Sequence, residues 1–438
     1  MFLKIKSWLF HNQTIGQTIA KNAFWLFSGQ LVSRLLRAAI VIYAARVLGA
    51  ASWGAFSYAL GVAAFLTIFS DIGINALITK ETTRNPQLKD QYISTAFFTK
   101  LGLLTIFVAG VILFFPYLTN IEEAARIMPI LIFVFAFDTL RDLGSAVSRA
   151  LEQMQIESLV NIFTNLAIVI LGFIFLATYK SSTALALAYA GGSGLGLIVI
   201  FYTLREHFRN LLSKFNKSLI KQILSTAWPF GLMGLMGAIM LNTDIIMLGW
   251  LSSASEVGYY AAAQKPVQLL YVLPALLATS IFPVLARMTQ NNRDGAKKIL
   301  ERSVALAILV AIPVVITGVI LANPIISILY GSEYLPAITT FQILIITVLI
   351  VYPSSLIGNA IFAYDQQKSF VGFVIVATLG NVLFNILLIP PLGIVGAAIS
   401  TIFTQLITNF LIWRKMKQIN NFQIWPEIKN YLRFSKAD

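Results

Sequence analysis

Long apolar stretches recur along the whole of this 438-residue chain, and they restrict its fold more than any other feature. An α-helix needs about 20 apolar residues to cross the roughly 30 Å hydrocarbon core of a bilayer. Because lipid offers the backbone no hydrogen bonds, each stretch must be helical, and the short alternating segments of a membrane β-barrel are absent. Only 11% of the residues are charged, against about a quarter in soluble domains. The sequence therefore predicts an all-α, polytopic membrane protein.

Charged and turn-forming residues divide the apolar sequence into twelve predicted membrane spans. The spans lie near residues 22–47, 53–79, 92–115, 124–148, 157–178, 183–204, 224–250, 257–285, 303–322, 336–362, 370–389 and 394–413. An even number of spans places both termini on the same side of the membrane. The loops on that side carry most of the lysines and arginines, whereas the opposite loops contain one lysine, Lys180, beside several glutamates. By the positive-inside rule, both termini are cytoplasmic and the protein is multi-pass in the inner (cytoplasmic) membrane.

The sequence carries signs of an internal repeat. A shift of 204 residues aligns the first two spans with spans seven and eight, so that Gly54 meets Gly258. Asparagine pairs with the spacing N-x-x-x-N also occur near the start of spans five and eleven. We therefore predict two six-helix bundles in the same orientation, residues 1–210 and 224–438. The joining residues, 211–223, place an apolar stripe between lysines, which predicts one interfacial elbow helix.

Three stretches resemble a known family. NVLFNILLIPPLGIVGAAIS (381–400) matches the pattern N-x-x-x-N-x-x-L-I-P-x-x-G-x-x-G-A-A, and similar likeness runs through residues 22–60 and 241–265. These stretches resemble the polysaccharide flippases, including the O-antigen flippases, of the multidrug/oligosaccharidyl-lipid/polysaccharide (MOP) exporter superfamily. The resemblance implies a MATE-like fold, in which two lobes surround a central cavity. It also implies alternating-access transport of a polyprenyl-diphosphate-linked oligosaccharide.

Two arginines lie in the middle of the first predicted span. Arg34 and Arg37 are three residues apart, hence on one helix face, and no carboxylate lies in that span. A charge at the bilayer centre costs at least about 2.5–3.5 kcal/mol, so each arginine needs a partner, a hydrated cavity or an anionic ligand. The planar guanidinium fork suits a diphosphate. The alternative is pairing with acids on other helices, for which Asp71 and Asp244 are the candidates.

Two lysines also fall within predicted spans. Lys265 is followed directly by Pro266, which removes a hydrogen bond and predicts a kink in span eight. In the family that the chain resembles, helices one and eight flank a lateral opening for the lipid tail, which implies that Arg34, Arg37 and Lys265 bind the diphosphate headgroup. Lys265 extending to the outer surface is the alternative, and Lys100 lies close enough to the cytoplasmic face to do the same there.

The acids within the spans are candidates for coupling to an ion or for balancing a charge. Asp138, Arg141 and Asp142 are spaced to neutralise one another on one helix, and a coupling role is the alternative. Asp71 and Asp244 complete this set. The asparagine pairs either hydrogen-bond neighbouring helices or line the cavity. They are Asn161, Asn165, Asn381 and Asn385.

The composition disfavours several other kinds of protein. The chain has no cysteine, and its two histidines, His11 and His207, lie outside the apolar runs, so we expect neither a metal site nor a cofactor. The net charge of +14 is spread over separate loops and fits anionic lipid headgroups, with no nucleic acid as a partner. The outer loops are short and lack paired acids, which disfavours a membrane glycosyltransferase or polymerase.

The remaining alternatives differ in the substrate that is transported. A lipid II (peptidoglycan-precursor) flippase also carries a lipid diphosphate, whereas a MATE-type exporter binds organic cations in an acidic, aromatic cavity. The expected partners are therefore a polyprenyl-diphosphate-linked glycan, membrane lipids, and H⁺ or Na⁺ as coupling ion. We expect a monomer that performs no chemistry on its substrate.

Overall fold

Helices account for nearly all of residues 14–434, which are the residues that this computed structural model describes. No β-strand occurs among them, so the predicted all-α fold is confirmed. His11 lies outside the described residues. The helices are α1 (Ile15–Asp71), α2 (Ile74–Arg84), α3 (Lys89–Leu118), α4 (Glu122–Ala150), α5 (Met154–Thr178), α6 (Ser182–Thr203), α7 (Arg205–Phe208), α8 (Leu211–Lys214), α9 (Ser218–Leu251), α10 (Ala254–Leu270), α11 (Val272–Asn291), α12 (Arg293–Ile320), α13 (Ala322–Tyr330), α14 (Ala337–Ala363), α15 (Gln367–Asn420) and α16 (Trp425–Phe434).

The two longest helices are each broken at a glycine, and each break separates two predicted spans. Helix α1 has 57 residues and α15 has 54, roughly twice the length that one crossing needs. Gly49 in α1 has φ 74° and Gly393 in α15 has φ 54°, a left-handed backbone that glycine adopts without the Cβ clash of other residues. The boundaries predicted between spans one and two and between spans eleven and twelve are therefore correct.

The helices of the described residues leave room for the twelve predicted membrane spans. Within the described residues, eight helices are long and apolar enough to cross a bilayer. Two of these, Ala20–Arg84 with 65 residues and Ser369–Asn420 with 52, have room for two crossings each. Helices α4 and α9, at predicted spans four and seven, have 29 and 34 residues. The fold therefore accommodates the twelve predicted spans.

Predicted span eight consists of two helices, α10 and α11, that meet at Tyr271. Pro274 has no N–H, so the carbonyl of Leu270, four residues earlier, has no helical partner. Tyr352 in α14 donates its hydroxyl to that carbonyl at 3.2 Å. The helix is therefore interrupted before Pro274, whereas Pro266, where the kink is predicted, lies inside α10. A side chain from another helix satisfies the carbonyl that Pro274 leaves without a partner.

The chain divides into two compact units, residues 1–242 and 243–438, and the boundary falls inside α9. In the first unit, α1 packs against α4, α5 and α6. In the second unit, α14 packs against α10, α11, α12 and α15. The six-helix lobes predicted at residues 1–210 and 224–438 stay predictions.

The joining segment is not the single elbow helix predicted for residues 211–223. It contains the single-turn helix α8 and the start of α9 at Ser218, with residues 215–217 non-helical between them. The backbone N–H of Asn216 donates to the hydroxyl of Thr95 at 3.1 Å, and its side-chain oxygen accepts from the N–H of Ser218 at 3.1 Å. Such bonds between side chains and backbone compete with helix formation. The prediction of one continuous helix is therefore wrong.

Candidate functional site

Arg34 and Arg37 lie on α1 before the break at Gly49, and both side chains are exposed. The Nε of Arg37 donates to Oδ1 of Asn165 at 3.0 Å, and its guanidinium carbon lies 5.8 Å from the ring centre of Tyr189. Asn165 and Tyr189 are buried, so the guanidinium is held from the protein side. Among the described residues, no side chain or carbonyl bonds its two terminal nitrogens. Those nitrogens remain available to a ligand.

The orientation of Asn165 is itself fixed. Its Nδ2 donates to the backbone carbonyl of Asn161, one helical turn earlier, at 2.8 Å. That bond turns Oδ1 towards Arg37, so the amide presents an acceptor to the arginine. The side chain of Asn165 therefore positions Arg37, whereas Asn161 contributes its backbone carbonyl.

The two arginines have no acidic partner in the described part of the chain. None of the ion pairs formed among residues 14–434 includes Arg34 or Arg37. The alternative partners are engaged elsewhere: Asp71 pairs with Lys100 at 2.8 Å, and Asp244 accepts hydrogen bonds within the second unit. Two exposed cations at this depth of a membrane helix require water or an anionic group around them.

Lys265 belongs to the second unit, on α10 directly before Pro266, and its side chain is half-buried. A cavity of about 450 Å³ lies beside this part of the helix, and Pro266, Leu270, Pro313 and Phe341 are among its lining residues. Its lining is apolar, which suits a hydrocarbon chain better than a diphosphate. The prediction that Lys265 joins the two arginines in one headgroup site stays a prediction.

Asp244 lies at the centre of a buried hydrogen-bond network in the second unit, with 5% of its surface exposed. Its Oδ1 accepts from the amides of Asn381 at 3.1 Å and Asn385 at 2.7 Å. Its Oδ2 accepts from the hydroxyls of Tyr260 at 2.7 Å and Thr401 at 2.7 Å. All four partners are neutral, so hydrogen bonds stabilise the carboxylate while its charge is not balanced by them.

The same network contains an oxygen without a partner. Oδ1 of Asn385 is buried and accepts no hydrogen bond from any residue that the structure describes. It lies on a side chain whose amide nitrogen is bonded to Asp244. Carboxylate, amide and hydroxyl oxygens are the ligands that hard cations prefer. In residues 14–434, no cluster of three or more histidine, cysteine or acidic side chains is placed to hold a metal ion.

The sequence identified Asp244 and the second asparagine pair separately, but it did not connect them or find the two hydroxyl donors. Tyr260 aligns with Phe56 of the first half under the 204-residue shift. At this position the second half has a hydroxyl group that the first half lacks. That difference was a signal available in the sequence. Thr401 carried no comparable signal, because threonines are common in membrane helices.

In each unit an asparagine bonds a charged side chain, and the two charges are opposite in sign. In the first unit, Arg37 on α1 bonds Asn165 on α5; in the second, Asp244 on α9 bonds Asn385 on α15. Under the 204-residue shift, Asp244 aligns with Ile40, one helical turn from Arg37. Each half therefore joins a charge on its first span to an asparagine of its fifth span, cationic in one half and anionic in the other.

The two acids on α4 share one arginine of their own helix. A terminal nitrogen of Arg141 lies 2.6 Å from Asp138, and its other terminal nitrogen lies 3.8 Å from Asp142. Arg141 is buried. This is the local arrangement that the spacing predicts, and a structural role accounts for it.

The prediction that Lys100 extends to the membrane surface is wrong. Its side chain is fully buried, and its Nζ lies 2.8 Å from both Asp71 and Asn75. Helix α1 ends at Asp71, and the next two residues, Ile72 and Gly73, both have positive φ. This turn brings Asn75 to the same ammonium as Asp71. For a buried lysine this close to a carboxylate, the ion pair stabilises the charge more than extension towards water would.

Replacing Lys100 by Met is expected to destabilise the first unit. Asp71 is left without its cation, and breaking a buried pair costs about 3–5 kcal/mol, reduced here to roughly 1–3 kcal/mol because Asp71 is partly solvated. The double variant Asp71→Asn/Lys100→Met should recover most of the loss. Thermal unfolding in detergent, followed by tryptophan fluorescence, measures the stability of the single and the double variant. A single variant as stable as the parent would contradict the assignment.

Comparisons with known proteins identify similar families and relatives. The family model described as polysaccharide biosynthesis protein matches residues 19–289, and the MatE model matches residues 229–390. The chain is 22% identical over 389 residues to a probable low-salt glycan biosynthesis flippase of Haloferax volcanii, covering 87% of this chain and 80% of that protein. It is 22% identical over 343 residues to a putative O-antigen transporter of Shigella flexneri, covering 75% and 80%.

Two solved structures share the fold. A lipid II flippase in an inward closed conformation superposes with a TM-score of 0.72 at 17% identity, covering 90% of this chain and 87% of that one. An inward-facing multidrug transporter of the MATE family superposes with a TM-score of 0.75 at 16% identity, covering 88% and 94%. At these identities the likeness concerns the fold, and the expected MOP-type architecture is confirmed.

Proposed function

This chain belongs to the polysaccharide biosynthesis protein family, and on that premise we propose that it is an alternating-access flippase for a polyprenyl-diphosphate-linked oligosaccharide. Similarity to a glycan biosynthesis flippase and to an O-antigen transporter supports this substrate class. The chain is a multi-pass membrane protein. We place it in the cytoplasmic membrane with both termini in the cytoplasm, since the twelve-span topology would put its basic loops on one side.

The observation that carries the proposal is the unneutralised arginine pair on α1. Arg34 and Arg37 are exposed in a membrane helix, and neither pairs with a described carboxylate. Asn165 occupies the Nε of Arg37 and leaves the terminal nitrogens to a ligand. A diphosphate supplies several anionic oxygens at the spacing that guanidinium groups bind through paired, charge-assisted hydrogen bonds.

The diphosphate, the polyprenyl tail and the sugars each need a different environment during transport. The diphosphate binds Arg34 and Arg37 on α1, while the polyprenyl tail stays in lipid. The sugars cross in a hydrated cavity because exposing their hydroxyls to hydrocarbon would cost several kcal/mol for each unsatisfied group. The two lobes rock to expose the site to either side in turn. The protein forms and breaks no covalent bond.

We assign the coupling ion to the Asp244 network. A sodium ion would find Asp244 and the unpartnered oxygen of Asn385 among its ligands. A proton would instead neutralise the carboxylate and convert one of its oxygens into a donor. Either ion removes a buried negative charge, so its binding changes the relative stability of the conformations that expose or enclose the site.

The direct test is flipping in liposomes. The purified protein is reconstituted with a fluorescent polyprenyl-diphosphate oligosaccharide, and lipid exposed in the outer leaflet is measured with a sodium gradient, a proton gradient or neither. Protein-free liposomes set the background rate. Lipid II and an organic cation are assayed in parallel. Faster transport of lipid II would reassign the substrate within the diphosphate class, and cation transport without glycan flipping would overturn the proposal.

Replacing Asn165 by Leu is expected to weaken substrate binding about tenfold, because a hydrogen bond to a charged group is lost and Arg37 is no longer held in place. The maximal flipping rate should change much less. The matched control is Asn161→Ala, which keeps the backbone carbonyl that orients Asn165. Equal apparent affinity in all three proteins would rule out a positioning role for Asn165.

A further inference from the structure

A cavity of about 570 Å³ lies at the end of α6, and neither Arg34 nor Arg37 is among its lining residues. Its lining residues are Phe201, Arg205, Glu206, Phe208 and Arg209. The rings of Phe201 and Phe208 lie 4.4 Å apart and form its apolar side. All of these residues belong to the first unit.

The cationic side of the cavity is not neutralised. Arg205 and Arg209 are exposed, and Arg209 keeps helical backbone angles (φ −65°, ψ −35°), so the two lie four residues apart on one face. Neither pairs with a carboxylate among the ion pairs of the described residues, and nor does Glu206. The cavity therefore combines two available guanidinium groups with one carboxylate and two aromatic rings.

An exposed apolar stripe on α6 leads to this cavity. Leu195, Ile198 and Tyr202 are 41%, 66% and 68% exposed, and their spacing of three and four places them on one helix face. The guanidinium carbon of Arg205 lies 4.9 Å from the ring centre of Tyr202, at the end of that stripe. An aromatic side chain followed by arginines is the arrangement expected at headgroup depth.

We propose that this cavity binds an acidic phospholipid of the phosphatidylglycerol class. The phosphate lies between Arg205 and Arg209, and one acyl chain follows Leu195 and Ile198 down α6. The glycerol hydroxyls of the headgroup donate to Glu206, which a choline headgroup cannot do. Two arginines against one carboxylate leave the cavity with a net positive charge, which favours an anionic headgroup over a zwitterionic ethanolamine headgroup. Basic pockets at the cytoplasmic ends of membrane helices recognise acidic headgroups in this way.

The test compares lipid binding by purified full-length variants in detergent. Native mass spectrometry during titration gives the affinity for phosphatidylglycerol, phosphatidylethanolamine and phosphatidylcholine with the same acyl chains. Arg205→Gln/Arg209→Gln should bind phosphatidylglycerol about tenfold more weakly than the parent. The affinity of Arg205→Lys/Arg209→Lys for phosphatidylglycerol should lie between those of the parent and the glutamine variant, because lysine keeps the charge and loses the planar fork. Inorganic phosphate should not displace the lipid.

The matched control is Lys214→Gln/Lys217→Gln, which removes the same charge from exposed positions of the same segment outside the cavity. It should bind like the parent, and all variants should unfold at the same temperature. Equal losses in the arginine and lysine pairs would indicate diffuse attraction and overturn the proposal. Equal affinity for phosphatidylethanolamine or phosphatidylcholine would overturn the choice of headgroup. The assay measures no transport, so its outcome is independent of the flippase proposal.

Discussion

Reversing both charges on α1, in Arg34→Glu/Arg37→Glu, is expected to abolish glycan flipping while the protein still inserts and folds. Each hydrogen bond to a charged group contributes about 1.5–3 kcal/mol, so losing one at each arginine reduces substrate binding by roughly 10²–10⁴. The two new carboxylates also repel the diphosphate. Folding should survive, because neither arginine neutralises an acid in the described residues. Liposome flipping and glycan export in cells both measure the effect.

Two further variants separate charge from geometry. Arg34→Lys/Arg37→Lys keeps the charge but loses the bidentate fork, and we expect flipping between that of the parent and that of the reversal. Lys214→Glu/Lys217→Glu makes the same change in net charge on exposed residues of the joining segment, and flipping should continue. Export at the parental rate by the arginine reversal would refute the site assignment.

The membrane spans could be predicted closely because each depends on local sequence. A helix that crosses lipid must be apolar over about 20 residues, and the breaks must fall where glycine or charged residues interrupt it. Gly49 and Gly393 lie between predicted spans for this reason. The interruption of span eight by a proline was predictable in kind, since proline removes a backbone donor whatever surrounds it, but it occurs before Pro274 and not at Pro266.

The errors arose where contacts distant in sequence decide the structure. Lys100 is close to the end of its span, so a position on the surface was a reasonable expectation; its pairing with Asp71 depends on the left-handed turn at Ile72 and Gly73. The elbow helix fails at Asn216, whose backbone bonds Thr95, 121 residues away. Periodicity along one helix contains no information about such partners.

In the candidate sites, the charged residues could be predicted from the sequence but their partners could not. Unpaired charges are visible in a sequence, so Arg34, Arg37 and Asp244 could be singled out from residue type and position alone. Their partners could not be assigned, because Asn165 and Asn385 are 128 and 141 residues from the charges they bond. The internal repeat is the feature that links them. Each half repeats an asparagine pair on its fifth span. Asn165 in the first half, and both Asn381 and Asn385 in the second, bond the charge on the first span of their own half.

Replacing Asp244 by Asn is expected to uncouple flipping from the ion gradient. The amide has nearly the same size, and its oxygen can still accept from Asn385, so the network keeps its shape without the negative charge that a cation or proton would neutralise. Coupling free energies of about 1–3 kcal/mol correspond to changes of 5–150-fold. The rate with a gradient should therefore fall by a factor in that range, to the rate measured without one. Sodium and proton gradients applied separately identify the ion.

The matched control is Asp138→Asn, since that carboxylate is neutralised by Arg141 at 2.6 Å on its own helix. This variant should lose stability and keep its response to the gradient, whereas Asp244→Asn should do the reverse. The contrast rests on a physical difference between the two acids. A carboxylate balanced by an arginine gains little from another cation, but one held by four neutral donors retains its charge in a buried site. An unchanged gradient response in Asp244→Asn would show that coupling occurs elsewhere, while leaving the diphosphate site on α1 untouched.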